Sequence, residues 1–471
     1  MKKTKIICTI GPASGNAEMI RTMIDAGMNV ARLNLSHGDQ EQHLGYISMI
    51  KDIRERMDKP VGILLDTKGP EFRIKQFAEG SAYLVPGENF ILTTGNVKGD
   101  HTMVSVTYKD LPKVVKSGDK ILLNDGFIEL EVESVTKFDV ITKVITGGRL
   151  TNNKSINLPG IVVDMPYLSN ADKSDILFAI ENDVDYLALS FIRSADDIET
   201  VRNFINENGG KRKDIKLISK IENMQGIEHI DSIIALSDGV MVARGDLGVE
   251  VDLNMIPVYQ KIIVDKCLRL GKMVIIATQM LESMIESPRP TRAEVNDVAT
   301  AVLDGATAVM LSGETASGKH VEKVIRTMSE IIENCERGFI VKTRIADIGE
   351  ESDTTSAIAY ACKSLADAIK PDAIIVETVS GKTVYKVSSY RPNCPIIAFT
   401  CEEKAYHQLA LCWGAYPIKI EKVETTDELL LEAKRCALSA GLVRKGDVVI
   451  QTAGLPIGAG ETNVLKVDTI S

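Results

Sequence analysis

Six short segments put charged or hydroxyl side chains directly after an apolar run. They are Arg32-Leu33-Asn34-Leu35-Ser36-His37, Asp66-Thr67-Lys68, Ser219-Lys220-Ile221-Glu222-Asn223, Ala243-Arg244-Gly245-Asp246, Ala277-Thr278-Gln279 and Ser312-Gly313-Glu314-Thr315. Glu222 and Asp246 are two acids that could share a hard cation, since Mg²⁺ takes a couple of carboxylates and completes its shell with water and phosphate oxygens. Lys220 lies two residues before Glu222, so on an extended segment both side chains point the same way. A lysine beside a metal-binding acid suits a phosphoryl group in transfer, where charge stabilisation is most of the catalysis. Arg32 and Arg73 carry the rigid donor fork that grips phosphate. Each of these residues also has a plainer reading, as a structural ion pair or a solvated surface charge. Ser380-Gly381-Lys382-Thr383 resembles the end of a P-loop, but Val376 stands where that motif needs its first glycine. It remains a helix start after a strand, a place that favours phosphate.

The elements that must position these residues alternate. Apolar runs at Lys5–Ile10, Asn29–Leu33 and Val61–Leu65 are separated by helical patterns, and the alternation resumes at Tyr186–Ser190, Ile215–Ile218, Gly239–Ala243, Met273–Ala277 and Thr307–Leu311. Such βα units predict a parallel sheet. Eight strands, with the flanking pieces together close to the roughly 250 residues of a (β/α)8 TIM barrel, favour that fold over a doubly wound sheet. A barrel would gather all six segments on the rim at the carboxyl ends of its strands, where such enzymes place their sites. Thr291 and Glu294 form a T-x-x-E capping box before one of its helices.

Between residues 70 and 166 long helical patterns disappear and short β-rich segments take over. Lys120–Leu123 and Phe127–Val132 flank Asn124-Asp125-Gly126, a hairpin signal because these residues tolerate positive φ. The predicted organisation is a catalytic barrel over 1–69 and 167–345, an inserted β-barrel-like lid over 70–166, and a C-terminal open-sheet α/β regulatory domain over 346–471. Asp347–Asp353 reads as the linker, and Ala373–Val376, Ile396–Phe399, Pro417–Ile420 and Asp447–Ile450 as the strands of the last domain.

The 471 residues carry 65 Asp and Glu against 55 Lys and Arg, a formal charge of −10. That balance argues against nucleic acid or an anionic membrane as partner, because either needs a basic face. It leaves room for a small anion held by a few local cations. Eight cysteines without C-x-x-C or zinc-ligand spacing read as scattered thiols in a reducing compartment, and no apolar run approaches a membrane span. The basic-then-apolar N-terminus breaks at Gly11-Pro12 without a cleavage pattern. A cytoplasmic protein is expected.

The rim segments, together with Cys8-Thr9-Ile10-Gly11-Pro12, Asp66-Thr67-Lys68-Gly69-Pro70-Glu71, Met241-Val242-Ala243-Arg244-Gly245-Asp246-Leu247-Gly248, Pro288-Arg289-Pro290-Thr291-Arg292-Ala293-Glu294 and Met310-Leu311-Ser312-Gly313-Glu314-Thr315, resemble pyruvate kinase and stand in family order. The resemblance implies phosphoryl transfer from phosphoenolpyruvate to ADP, giving ATP and pyruvate. It implies that Glu222 and Asp246 hold Mg²⁺ (or Mn²⁺), that the Gly245 and Asp246 amides and Thr278 hold the substrate carboxylate, and that Lys220 contacts the phosphoryl group. Asn34, Ser36, Asp66 and Thr67 would form a K⁺ site, with Glu71 marking K⁺ dependence. Arg32, His37, Arg73 and Lys154 would face the nucleotide or the transferred phosphate, with Asn34 beside them. Thr278, Ser312 and Glu314 are candidates for the relay that protonates the enolate. Thr378, Ser380, Gly381, Lys382 and Thr383 resemble the family's effector-phosphate loop, while Leu455-Pro456-Ile457-Gly458-Ala459-Gly460 lacks an arginine found in members activated by fructose 1,6-bisphosphate. The effector stays open between that sugar bisphosphate, another phosphate metabolite and none. A homotetramer is implied, and the additional C-terminal domain of some bacterial members is not expected. Two rivals stand beside this reading: a Mg²⁺-dependent aldolase or lyase on a barrel, and a non-catalytic metabolite sensor.

Overall fold

A computed structural model describes residues 2–163, 165–209, 214–338, 353–423, 425–454 and 461–471. Eight strands, β1 (Lys5–Thr9), β2 (Val30–Asn34), β3 (Gly62–Asp66), β4 (Tyr186–Leu189), β5 (Lys216–Ile221), β6 (Gly239–Ala243), β7 (Met273–Ala277) and β8 (Ala308–Leu311), close into a barrel in chain order. Every neighbouring pair is parallel, and β1 pairs with both β2 and β8. Closure excludes the doubly wound sheet. The strands read as unbroken apolar runs because both faces are covered. Ile6 and Cys8 join the core beneath the outer helices, while Ile7 between them packs inside the barrel. Ile63 and Leu65 face the helices in the same way and Leu64 faces inward. The predicted capping box is formed at helix Arg292–Asp304, with Thr291 and Glu294 each bonding the other's backbone.

The polypeptide between β3 and β4 builds a seven-stranded sheet and a two-stranded pair around a separate apolar core. The predicted hairpin is present: Lys120–Leu123 pairs antiparallel with Ile128–Val135, and Asn124, Asp125 and Gly126 all take positive φ. Phe72–Arg73, at the start of the insert, pairs with Ser155–Ile156 near its end. The chain therefore leaves and re-enters the barrel through adjacent strands, and β3 and β4 still meet, with Leu64 beside Tyr186.

The last sheet contains β9 (Ala373–Glu377), β10 (Ile396–Thr400), β11 (Ala415–Lys419), β12 (Val448–Ala453) and β13 (Val464–Thr469), in spatial order β11-β10-β9-β12-β13. Four are parallel, and β13 runs antiparallel to β12 at the edge. Sequence reading missed β13, whose Val-Leu-Lys-Val-Asp-Thr offers neither an apolar run nor a buried face. The expected linker and the loop at 455–460 lie outside the described residues, apart from Asp353, which caps helix Thr354–Ile369.

This domain docks on the amino-terminal end of the barrel. Leu411 enters the barrel's interior core. Lys5 donates to Ala415 O at 2.6 Å, Lys404 to Val184 O at 2.6 Å, and Arg391 to Gly305 O at 2.9 Å with its guanidinium 4.5 Å from the Trp413 ring. Tyr186 and Tyr385 both donate to Gln408 O.

Candidate active site

At the opposite, carboxyl-terminal end of the barrel, β2, β3, β4 and β5 bring their last residues into one ionic knot. Ile218, Lys220 and Glu222 alternate on the inward face of β5 and just past it, while Ile221 packs outward. Arg32 donates from Nε to Asp66 Oδ2 at 2.8 Å, donates again from Nη2, and reaches Thr9 Oγ1 at 3.0 Å. The other Asp66 oxygen lies 3.1 Å from Lys220 Nζ. Lys220 Nζ lies 2.8 Å from Glu222 Oε1 and donates to Ser190 Oγ at 2.7 Å. Ser190 in turn donates to Thr67 O at 2.7 Å, and Glu222 Oε2 accepts the Phe191 amide at 2.6 Å. Phe191 holds φ at +56° to offer that amide.

Burial works against the Lys220 ammonium, but Asp66 and Glu222, with Asp246 behind them, outweigh it and hold its pKa above the ordinary lysine value. Burial likewise opposes the Asp66 carboxylate, yet Lys220 and Arg32 keep it below its usual range. Glu222 goes the other way: burial raises it, Lys220 offsets this only in part, and Asp246 adds to it. The knot thus has two cations, Arg32 and Lys220, for three carboxylates. Glu222 Oε1 is fully buried with the lysine near but no hydrogen bond of proper angle. An excess carboxylate with an open lone pair, beside a second one on Asp246, fits a divalent cation. Among the described residues no group of three His, Cys, Asp or Glu side chains gathers for a metal, so substrate or water would complete such a shell. Asp66 fits K⁺ only as a shared ligand, since both of its oxygens already face cations. Asn34 Oδ1 accepts the Ser36 amide at 3.1 Å, and Ser36 and His37 are exposed on the loop beyond β2.

Across the rim, the loops after β6, β7 and β8 are tied together mainly through backbone groups. Arg244, the first residue of helix Arg244–Glu250, pairs with Asp297 at 2.7 Å and donates to Thr278 O at 2.5 Å. This clamp holds Thr278 and Gln279 at φ +68° and +56°, a costly conformation for residues with a Cβ. Thr278 Oγ1 accepts the Gly245 amide at 2.8 Å, which sets the Gly245–Asp246 turn beside it. Glu314 accepts the amides of Ser312 at 2.7 Å and Leu281 at 3.2 Å, joining the loops after β7 and β8, and burial raises its carboxyl. Ser312 Oγ is buried without a hydrogen-bond partner among the described residues.

Arg73 lies on one of the paired strands where the insert meets the barrel, and Lys154 directly precedes the other. Arg73 binds Glu71 at 2.7 Å and donates to Asn153 O at 2.7 Å, and the Lys154 carbonyl accepts the Ile74 amide at 2.9 Å. A cleft between insert and rim runs past Glu71, Ser155, Asn223 and Asp246, and Asn157 spans it to Glu250 at 2.9 Å. In the C-terminal domain Thr378, Ser380, Lys382 and Thr383 line one cavity of about 620 Å³. There Gly381, at φ +82°, turns its amide onto Thr378 Oγ1 at 3.0 Å.

Sequence reasoning named the rim segments but missed Ser190 and Thr9, the hydroxyls that tie the knot together, and gave Arg244 no role. Ser190 carried the same signal as the others, a hydroxyl directly after the apolar run Tyr186–Leu189. Arg244 was hidden because its task is to hold a backbone carbonyl, which leaves no pattern in spacing.

A closed barrel with cations and carboxylates gathered at the carboxyl ends of its strands has the layout of a barrel enzyme, whose site lies at that end. Residues 1–325 match the family model "Pyruvate kinase, barrel domain" and residues 356–468 "Pyruvate kinase, alpha/beta domain". The pyruvate kinase of Clostridium acetobutylicum is 43% identical, with 100% of both chains covered. That of Geobacillus stearothermophilus is 45% identical over 100% of this chain and 81% of its own. A crystal structure of a pyruvate kinase from Cryptosporidium parvum superposes with a TM-score of 0.93 at 36% identity, covering 100% of this chain and 96% of that one. The chain belongs to the pyruvate kinase family and is a phosphotransferase.

Proposed function

We propose that the protein transfers the phosphoryl group of phosphoenolpyruvate to ADP, giving ATP and pyruvate. The observation that carries this is the Lys220 ammonium, buried among Asp66, Glu222 and Ser190 at the centre of the rim. A fixed positive charge there lies where the transferring group spreads negative charge over its oxygens, and it needs no reorganisation as the group moves. Arg32, oriented by Asp66 and Thr9, grips the same phosphate. The Gly245 and Asp246 amides and the Thr278 hydroxyl, held in register by the Arg244 clamp, take the substrate carboxylate in place of the bond Gly245 and Thr278 make to each other. Asn34, His37, Arg73 and Lys154 face ADP, the last two from the insert, whose closure excludes water that would compete for the phosphoryl group.

Glu222 and Asp246 hold Mg²⁺ or Mn²⁺, which when bound polarises the phosphoryl and enolate oxygens. Asn34, Ser36, Asp66 and Thr67, the last by its carbonyl, hold K⁺ near the phosphate. After transfer the enolate needs a proton at carbon, and Thr278, Ser312 and Glu314 form the polar wall on that side of the rim. Thr378, Ser380, Gly381, Lys382 and Thr383 take the phosphate of an effector. All eight cysteines are free and no described helix is long and apolar enough to cross a membrane, in keeping with work in the cytoplasm. A homotetramer completes the reading on family grounds. A coupled assay for ATP from phosphoenolpyruvate and ADP, with Mg²⁺ and with or without K⁺, tests it. Absence of ATP under both conditions would favour the lyase.

A further inference from the structure

Glu377 ends β9 at the wall of the C-terminal cavity, 5% exposed, and among the described residues neither of its carboxylate oxygens meets a donor in hydrogen-bond geometry. Behind it on β12, Gln451 is fully buried and spends its Nε2 on Leu430 O at 3.0 Å, leaving its Oε1 without a donor as well. Among the described residues these three buried acceptors lack a donor, which is costly and rare in native interiors. Burial pushes the Glu377 carboxyl up to about 8, and its own backbone amide and the Gln451 side chain offset this only in part. At the same cavity the loop from Thr378 to Thr383 offers hydroxyls, the Lys382 ammonium and the start of helix Lys382–Ser389 to an anion. The remaining charged lining is mostly acidic, with Glu402, Glu421 and Glu461 against Lys422, so a second dianionic group would meet repulsion.

We propose that this cavity takes a ligand carrying one phosphate and, away from it, a primary ammonium group that Glu377 binds. The proposal rests on the reading of Thr378–Thr383 as a phosphate loop and names what the opposite end of that ligand must be. An ammonium brings three N–H donors to these acceptors and a positive charge that lets the buried Glu377 carboxyl ionise. A sugar bisphosphate brings neither.

Calorimetric titration of the full-length protein with glucosamine 6-phosphate, glucose 6-phosphate and fructose 1,6-bisphosphate tests this, because the first two differ only in an amine for a hydroxyl. The amine is expected to bind at least tenfold tighter than the hydroxyl analogue and the bisphosphate. Glu377→Leu should erase that preference while leaving glucose 6-phosphate within about threefold. The near-isosteric Glu377→Gln should reduce it without disturbing the fold. Equal wild-type binding of amine and hydroxyl, a bisphosphate that binds tightest, or a preference that survives both substitutions overturns the proposal. The phosphate-loop reading fails separately, if Lys382→Ala leaves every titration unchanged or none of the three compounds binds, and the proposal falls with it.

Discussion

The two ends of the barrel use the same side-chain chemistry for opposite purposes. At the amino-terminal end, Lys5, Lys404, Arg391 and Tyr186 each reach across to backbone carbonyls, so a flexible cation or hydroxyl becomes a fixed strut between domains. At the carboxyl-terminal end, Arg32, Lys220, Asp66 and Glu222 face one another, with one carboxylate more than the cations can answer once Asp246 is included. A carbonyl partner is neutral and final, whereas an ionic knot out of balance keeps affinity for further charge. One end is thus finished by folding while the other keeps a carboxylate in excess, in line with the division of barrels into a stabilising and a catalytic face.

The sharpest test of that division is Lys220→Met, which should lower kcat by about a thousandfold or more, about 4 kcal/mol. Turnover surviving within about tenfold would remove Lys220 from the chemistry. At the other end, Arg391→Ala should cost on the order of 3 kcal/mol of stability, seen in urea unfolding, while kcat stays within about threefold. A comparable loss of kcat there would collapse the distinction between the ends.

His407 gives the docking end a pH signature. Burial, with Arg54, Lys419 and Lys404 nearby, outweighs the pull of Asp185 and lowers its imidazole to about 3. The folded protein therefore stays unprotonated there while the unfolded chain takes up a proton near its ordinary value of about 6.5. Stability from this group is complete above that value and lost as pH falls, reaching about 2 kcal/mol at pH 5. His407→Gln should flatten that part of the stability curve, measured by urea midpoints between pH 7 and 5. The smallest effect belongs to Ser190→Ala, which deprives Lys220 of its one neutral partner. Kcat should fall about tenfold, roughly 1.4 kcal/mol, with KM for phosphoenolpyruvate nearly unmoved. A change in KM alone would make Ser190 a binding group.

Strand order, the insert and the rim segments could be read from the sequence because doubly buried strands write themselves as apolar runs, and polar residues at their ends stand out against them. Asn124-Asp125-Gly126 announced its hairpin for the equally local reason that few other residues accept that backbone. What stayed hidden depends on partners distant in the chain. Arg244 acts on the carbonyl of Thr278, Thr9 on Arg32, and Glu377 stands out only because the described residues around it supply no donor. The edge strand β13 failed for a different reason: with little of it buried, nothing obliged its residues to alternate.

The meeting of Phe72–Arg73 with Ser155–Ile156 bears on how the chain folds. Barrel closure needs β3 beside β4, yet the polypeptide between Asp66 and Tyr186 would form a long disordered loop. Closing it costs about 1.6 kcal/mol more entropy than a crossover of about 20 residues. Once the insert has collapsed on its own core, its two ends leave side by side and most of that loop is already closed. The order of events follows from this geometry: the insert forms early, and substitutions that loosen its core should slow assembly of the barrel more than they weaken the finished enzyme.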